Sequence, residues 1–401
     1  MGELFFLPSW PMRVDDLQWL ALLLLAAVIA GEAGHRWLGV PRLLGWIAAG
    51  VALGPDVAGL IDRDMVADQY WLLEIAIGVV LFELGQRVDL GWLRRNTWLG
   101  GASILESGCA FLVIFAVLWL LGAPALVAAT AGAIGIATSP AVVLTLARDL
   151  RAQGQVTERV LLLTALNSIY AVVLVSMLIA WLHAEYRGGW LVVAAHPIYL
   201  IFGSAALGAA FAAALLAALT LLGNRVEAQF LCAVAFVLVA VSLSAALNLS
   251  TVLALLAFGT CARAFDRGRR FVSLEFGRLG RILVMLLFAL SAAGLELQLI
   301  PQGLLAGVAL VVARYLGKTL GLLATAGVSG LAPGKAALVS LGLMPMSAVA
   351  LILVHETSSL FPEFGPALAT VVVSALAILE VAGPLAAQLA LKRAGETAEQ
   401  R

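Results

Sequence analysis

At 401 residues the chain is long enough for two or three soluble domains, yet hydrophobic residues make up 63% of it and charged residues only 12%, about half the charged share of a soluble globular protein. So few charges cannot clothe a soluble particle of this size, which excludes a soluble enzyme and a nucleic-acid binder. The balance of 24 basic against 24 acidic residues leaves no net field that would name a partner. Lipid is the remaining solvent, and at roughly 20 apolar residues per crossing helix the chain reads as an all-α polytopic membrane protein rather than a single-anchor receptor.

Hydropathy predicts thirteen membrane helices. The first six cover about 17–38, 41–60, 70–91, 97–122, 124–148 and 158–183, and a seventh lies at about 193–222. Six more cover about 226–247, 249–264, 280–299, 303–327, 335–356 and 364–391. The first run follows Arg13, Asp15 and Asp16, and a second run succeeds it at once, as expected of a retained span and not of a cleaved leader. Strands are not expected, because the runs lack alternation and open sheet edges do not survive in lipid. The ninth run is short for a crossing. With thirteen spans the loops alternate in side, and 19 of the 24 lysines and arginines then fall on one side, including Arg36, Arg94, Arg95, Arg151 and the segment from Arg263 to Arg281. Arg13, Arg63 and Arg187 fall on the other. The basic side is the cytoplasm by the positive-inside rule, so the N-terminus is expected outside and the C-terminus inside.

Six spans, a linker and six spans predict an inverted repeat: 17–183 as the first copy, 193–222 as linker helix, 226–391 as the second copy, and 392–401 as a short cytoplasmic tail. Two proline breaks fall at corresponding places. The fifth span contains Ala137-Thr138-Ser139-Pro140 and the twelfth Leu343-Met344-Pro345-Met346-Ser347. A mid-span proline removes a backbone donor and frees a carbonyl, which lipid tolerates only where a neighbour or a cavity satisfies it. One such proline is an ordinary kink; a matched pair points to a midplane ion site between broken helices.

Ionisable residues deep in apolar runs each cost about 2.5 to 3.5 kcal/mol and therefore need a reason. Arg314 and Lys318, at i and i+4, share one face of the eleventh span. Glu106 lies midway along the fourth span, among Ser103, Ser107 and Cys109, none of which neutralises a charge. Glu380 is deep in the thirteenth span, Glu83 is near the inner end of the third, and Glu32 and Glu74 lie close enough to span ends to be solvated. The plain structural reading has Arg314 neutralising one glutamate to lock helices together. The functional reading has Glu106 as a titrating carboxyl with Arg314 and Lys318 as counter-charges. The four histidines lack ligand spacing and read as structural or interfacial; the dispersed Cys109, Cys232 and Cys261 form neither a disulfide framework nor a metal set. No resident cofactor or metal is expected.

These residues together resemble the membrane domain of the cation/proton antiporter superfamily, particularly its Kef-like and sodium/proton-exchanger branch. The landmarks are Phe82-Glu83-Leu84-Gly85, Ala137-Thr138-Ser139-Pro140, Ala165-Leu166-Asn167-Ser168, Arg314 with Lys318, and the ending Glu380-Val381-Ala382-Gly383-Pro384 with Arg393-Ala394-Gly395-Glu396, in order across nearly the whole chain. The resemblance implies a 13-helix inverted-repeat fold with two broken, crossed helices, usually homodimeric, in which a core moves against a scaffold. It would exchange a monovalent cation, K+ or Na+, for protons. Thr138, Ser139, Asn167 and Ser168 would then line the polar cavity.

One departure is central. Relatives usually carry an aspartate after the equivalent of Asn167, the ligand shared by cation and proton; this chain has Ser168. Met346 and Ser347 likewise stand where many relatives place polar or charged residues. Three outcomes are open: Glu106 or Glu380 has taken over the carrier role, ions move without proton coupling, or the fold is kept as a non-transporting scaffold or sensor. An uncoupled pathway for an anionic solute drawn to Arg314 and Lys318 is a variant of the second. Kef-type relatives commonly carry a nucleotide-binding domain after the last helix; here any such regulator is expected on a separate chain. A bacterial inner membrane is the expected location.

Overall fold

The computed structural model describes residues 16–187, 195–223, 225–266, 277–346 and 348–398. Arg13, Ser347, Arg401, residues 193 and 194 of the expected linker and the middle of the arginine-rich segment lie outside the described residues, as do the side chains of His183 and Arg187.

Every regular element among the described residues is helical. In chain order they are α1 (Asp16–Leu38), α2 (Arg42–Leu53), α3 (Arg63–Asp68), α4 (Tyr70–Arg87), α5 (Leu90–Arg95), α6 (Thr97–Leu120), α7 (Ala125–Ile134), α8 (Pro140–Asp149) and α9 (Gln155–Arg187). The remainder are α10 (Ala195–Leu222), α11 (Val226–Ala246), α12 (Thr251–Phe265), α13 (Gly277–Ala293), α14 (Ile300–Thr325), α15 (Pro333–Gly342), α16 (Ala348–Leu360) and α17 (Gly365–Arg393). Seven of the helices are long and apolar enough to cross a membrane: α1, α6, α9, α10, α11, α14 and α17. The fifth and twelfth predicted spans each resolve into a pair of half-helices, α7 with α8 and α15 with α16, interrupted at 135–139 and, among the described residues, at 343–346. The ninth predicted span is α12, a helix of 15 residues.

Local chemistry sets several of these ends. Pro140 occupies the first turn of α8, where a missing N–H costs nothing, and Ser139 before it caps the helix by accepting from Val142 N at 3.4 Å. Asp89 caps α5 by accepting from Trp92 N at 2.9 Å. That donor, with Arg263 nearby, holds the Asp89 carboxyl below the usual carboxylate range.

The helices form two groups. In the first, α1 packs on α2, α2 on α13, α13 on α4, α4 on α12, and α12 on α10 and α11. In the second, α6 lies along α14, α14 along α17 and α15, and α9 against α7, α8 and α15. Contacts of α4 with α8 and α9, and of α2 with α17, join the two. Leu22, Leu25 and Ile29 on α1, and Leu305, Val312 and Leu316 on α14, are exposed. On a soluble protein that would be an aggregation liability; on helices long and apolar enough to cross a membrane it is a surface suited to lipid. The opposite stripe of α14, Gly303, Gly307, Leu310, Ala313, Arg314, Gly317, Lys318 and Gly321, is buried at the spacing of one helical face.

Residues 394–398, after α17, fold back onto the protein. Glu396 accepts from Val156 N at 2.8 Å, Thr157 N at 2.7 Å and Thr157 Oγ1 at 2.7 Å. Gln153 N donates to Glu396 O at 3.0 Å, and Ala398 N to Leu150 O at 3.1 Å. A carboxylate 239–240 residues away in sequence thus accepts from the first N–H groups of α9.

Candidate functional site

The breaks in α7–α8 and α15–α16 cross. Ser139 N donates to Pro345 O at 2.9 Å, and Thr138 Oγ1 donates to Leu343 O at 3.2 Å. A helix that stops in mid-membrane leaves its last carbonyls without donors and its C-terminal end partially negative. Both ends here, of α7 and of α15, are met by the two cations of α14. Arg314 donates to Gly135 O through one terminal nitrogen, and through the other to Leu343 O at 2.8 Å, Thr138 Oγ1 at 3.2 Å and Pro345 O at 3.4 Å. Lys318 donates to Ile136 O at 3.1 Å. Both are 0% exposed, so the expectation that they share a buried face holds, while snorkelling to the interface does not occur.

Lys318 also reaches Glu106 Oε1 at 2.5 Å, an ion pair with both side chains 0% exposed. Glu106 is therefore paired directly with Lys318, whereas Arg314 makes no ion pair among the described residues. Arg314 acts on Glu106 only as a charge at a distance; its hydrogen bonds go to the broken backbone ends and Thr138. Asn167 Nδ2 donates to Glu106 Oε1 at 3.2 Å and lies 3.4 Å from Thr138 Oγ1, and Ser107 Oγ lies 3.0 Å from both Glu106 Oε2 and Asn167 Oδ1. Glu106, Thr138, Asn167, Arg314 and Lys318 thus form one connected network on α6, the α7–α8 break, α9 and α14.

Close backbone approach makes this reach possible. A Cβ on Gly317 would stand 2.6 Å from Ala110 Cα, and one on Gly321 would stand closer still to Glu106 Cα. Only glycine lets α14 lie on α6 at this depth. The two glycines, four apart in an apolar helix, are the small-xxx-small pattern that brings membrane helices together, a signal present in the sequence that the reading of charged residues passed over.

The remaining predicted residues lie elsewhere. The Ser168 hydroxyl donates to Thr164 O of its own helix at 2.9 Å and joins no network. Ser139 caps α8 and lines a separate small cavity with Glu380, Ser291 and Pro140. Glu83 pairs with Arg148, with Arg87 at 3.9 Å; this cluster borders a cavity of about 760 Å³ lined by Arg87, Arg148, Arg151, Arg281, Asp149 and Glu158. Glu32 pairs with Arg42 at 2.9 Å on the exposed end of α1. No group of three or more His, Cys, Asp or Glu side chains among the described residues is arranged to hold a metal ion.

A family described as the transmembrane sodium/hydrogen exchanger matches residues 21–391. Over 77 residues the chain is 36% identical to a probable Na+/H+ antiporter, GerT, of Bacillus cereus, a stretch covering 19% of this chain and 20% of that one. A second match, 40% identical over 76 residues, is to the iron transporter MagA of Paramagnetospirillum magneticum, covering 19% of this chain and 17% of that one. These alignments span about a fifth of the relatives' lengths. The structure of the sodium proton antiporter MjNhaP1 from Methanocaldococcus jannaschii at pH 8 superposes with a TM-score of 0.70 at 16% identity, covering 94% of this chain and 95% of that one; the fold is shared. The chain is an integral membrane protein and belongs to the sodium/hydrogen exchanger transmembrane family, whose members are transporters.

Proposed function

We propose that the chain exchanges a monovalent cation for protons by alternating access at the crossed half-helices. The Glu106–Lys318 contact carries this reading. One carboxylate, brought by α6 to the amide of Asn167, stands where the residue at 168 supplies none, and one ammonium group balances it. A cation entering from solvent competes with that ammonium for Glu106 Oε1. When it wins, Lys318 becomes an uncompensated buried ammonium, whose cost is relieved by giving up its proton. One cation bound then corresponds to one proton released. Asn167 Oδ1 and Thr138 Oγ1 are further oxygen ligands of the kind a hard cation takes. Arg314 keeps the crossing charge-balanced throughout, since its carbonyl partners belong to the break itself.

Sodium is favoured by the matches to GerT and MjNhaP1, and potassium by the Kef-like landmarks of the sequence. The rest of the assembly follows the sequence reading: thirteen crossings in an inverted six-plus-six repeat, a homodimer, the N-terminus outside and the C-terminus in the cytoplasm of a bacterial inner membrane. Any nucleotide-binding regulator is a separate chain.

A second reading, an antiporter fold that holds a partner or passes ions without coupling, is favoured by one observation. Glu106, Lys318 and Arg314 are fully buried, and nearly every polar atom among them is engaged. Proteoliposomes containing a pH dye and, separately, a cation dye distinguish the readings. The exchanger acidifies or alkalinises the lumen according to the cation gradient; an uncoupled pathway moves cation without the pH change; a scaffold gives neither signal.

A further inference from the structure

At the crossing, the C-terminal ends of α7 and α15 are occupied by Arg314 and Lys318, whereas the N-terminal ends of α8 and α16 face a different space. Ser139, Pro140 and Ala141 from the start of α8, and Val349 from the start of α16, wall a small cavity whose other sides are α4, α13 and α17. Its volume of about 20 Å³ admits one water-sized guest. Glu380 of α17 lines it at 5% exposure, and among the described residues its carboxylate has neither a hydrogen bond nor an ion pair. Among the described residues Ser291 of α13, 8% exposed, also makes no hydrogen bond, and the Ser139 hydroxyl is engaged only by Val142 N at 3.4 Å.

Leaving a buried carboxylate without a donor is costly. The two helix N-termini beside it offer partial positive charge, but among the described residues they place no donor on it. The charged groups of the surrounding helices are committed elsewhere: Glu83 to Arg148, Arg314 and Lys318 to the central network, Arg42 to Glu32, and Lys335 of α15 near Gln155. Arg281 and Asp149 line the large cavity at the basic end, and Glu74 and His355 lie outside the lining. What remains is one carboxylate and two hydroxyl oxygens around a space for one small guest, a donor set that suits a hard cation and that a proton neutralises equally well.

We propose that Glu380, Ser139 and Ser291 form a second ion site, separate from Glu106, that takes a dehydrated monovalent cation of sodium's class in alternation with a proton. The proposal extends the exchange reading, giving the cycle a second ion on the other side of the crossing. The packing places it where movement of the half-helices would open it: Gly383, one turn along α17, lies against Pro345, where a Cβ would stand 2.7 Å from that proline's Cα.

The test is difference infrared spectroscopy on reconstituted full-length protein, switching from choline chloride to sodium chloride at fixed pH. The wild type is expected to lose the carbonyl-stretch band of a protonated carboxylic acid and gain carboxylate bands. Glu380→Gln removes that sodium-sensitive band, Glu380→Asp keeps it with a shifted sodium midpoint, and Ser291→Ala raises the midpoint several-fold. The doubly neutral Glu106→Gln/Lys318→Met variant retains the band. A sodium-sensitive band that persists in Glu380→Gln, or its absence from the wild type, overturns the proposal. If proteoliposomes show no exchange while the band is present and depends on Glu380, the exchange reading falls and the ion site stands.

Discussion

Glu106 and Lys318 are each 0% exposed and bonded to one another, so changing either alone strands its partner. Glu106→Gln is expected to lower stability by about 3–5 kcal/mol, read as a fall in the thermal unfolding temperature of detergent-purified protein, and adding Lys318→Met should recover most of the loss. Equal unfolding temperatures for Glu106→Gln and the wild type would show that the pair does not hold in solution. Ser168→Ala is expected to be mild, with stability changed by about 1 kcal/mol or less and proteoliposome exchange near the wild-type rate, because the hydroxyl is spent on Thr164 O. The i, i+4 spacing made Arg314 and Lys318 legible as one buried face, and depth alone marked Glu106 as needing an answer. Which cation answered it was not legible, because that depends on the rotation of α14 against α6. The absent carboxylate at position 168 drew attention to α9, while the acid that meets Asn167 comes from α6.

Both breaks were readable from Pro140 and Pro345, since a proline in mid-span must free a carbonyl whatever the fold. The partners of those carbonyls were not, because Arg314 is 179 residues from Gly135 and 29 from Leu343 in sequence. The contact between α6 and α14 depends on Gly317 and Gly321. Gly321→Ala is expected to push the helices apart, costing about 1–3 kcal/mol as overpacking and lengthening the Lys318–Glu106 contact; exchange should fall more than protein yield does. Wild-type exchange by Gly321→Ala would contradict the close approach. At the other end of the core, Glu396 caps α9 from 240 residues away, a pairing no local pattern announces and one that makes the described part of the expected short tail part of the fold. Glu396→Ala should destabilise by about 0.5–2 kcal/mol, as loss of a cap does, and increase hydrogen exchange at Val156 and Thr157; unchanged exchange there would refute the capping role.

Across the whole molecule, composition fixed the solvent and apolar runs without alternation fixed the helical class, and the exposed Leu22, Leu25 and Ile29 of α1 and Leu305, Val312 and Leu316 of α14 are their direct expression. The separation into two helix groups was legible only through the family resemblance, since hydropathy counts spans without saying which of them touch. In the proposed exchange one group is a carrier whose charges are balanced internally, with Arg314 on the broken ends and Lys318 on Glu106, so that an arriving cation must displace a proton. The most direct measurement is lumenal pH in proteoliposomes on a sodium or potassium jump, comparing wild type with the Glu106→Gln/Lys318→Met variant at matched unfolding temperature. The wild type should show cation-driven proton movement and the variant none. Proton movement at the wild-type rate in the variant would contradict the account.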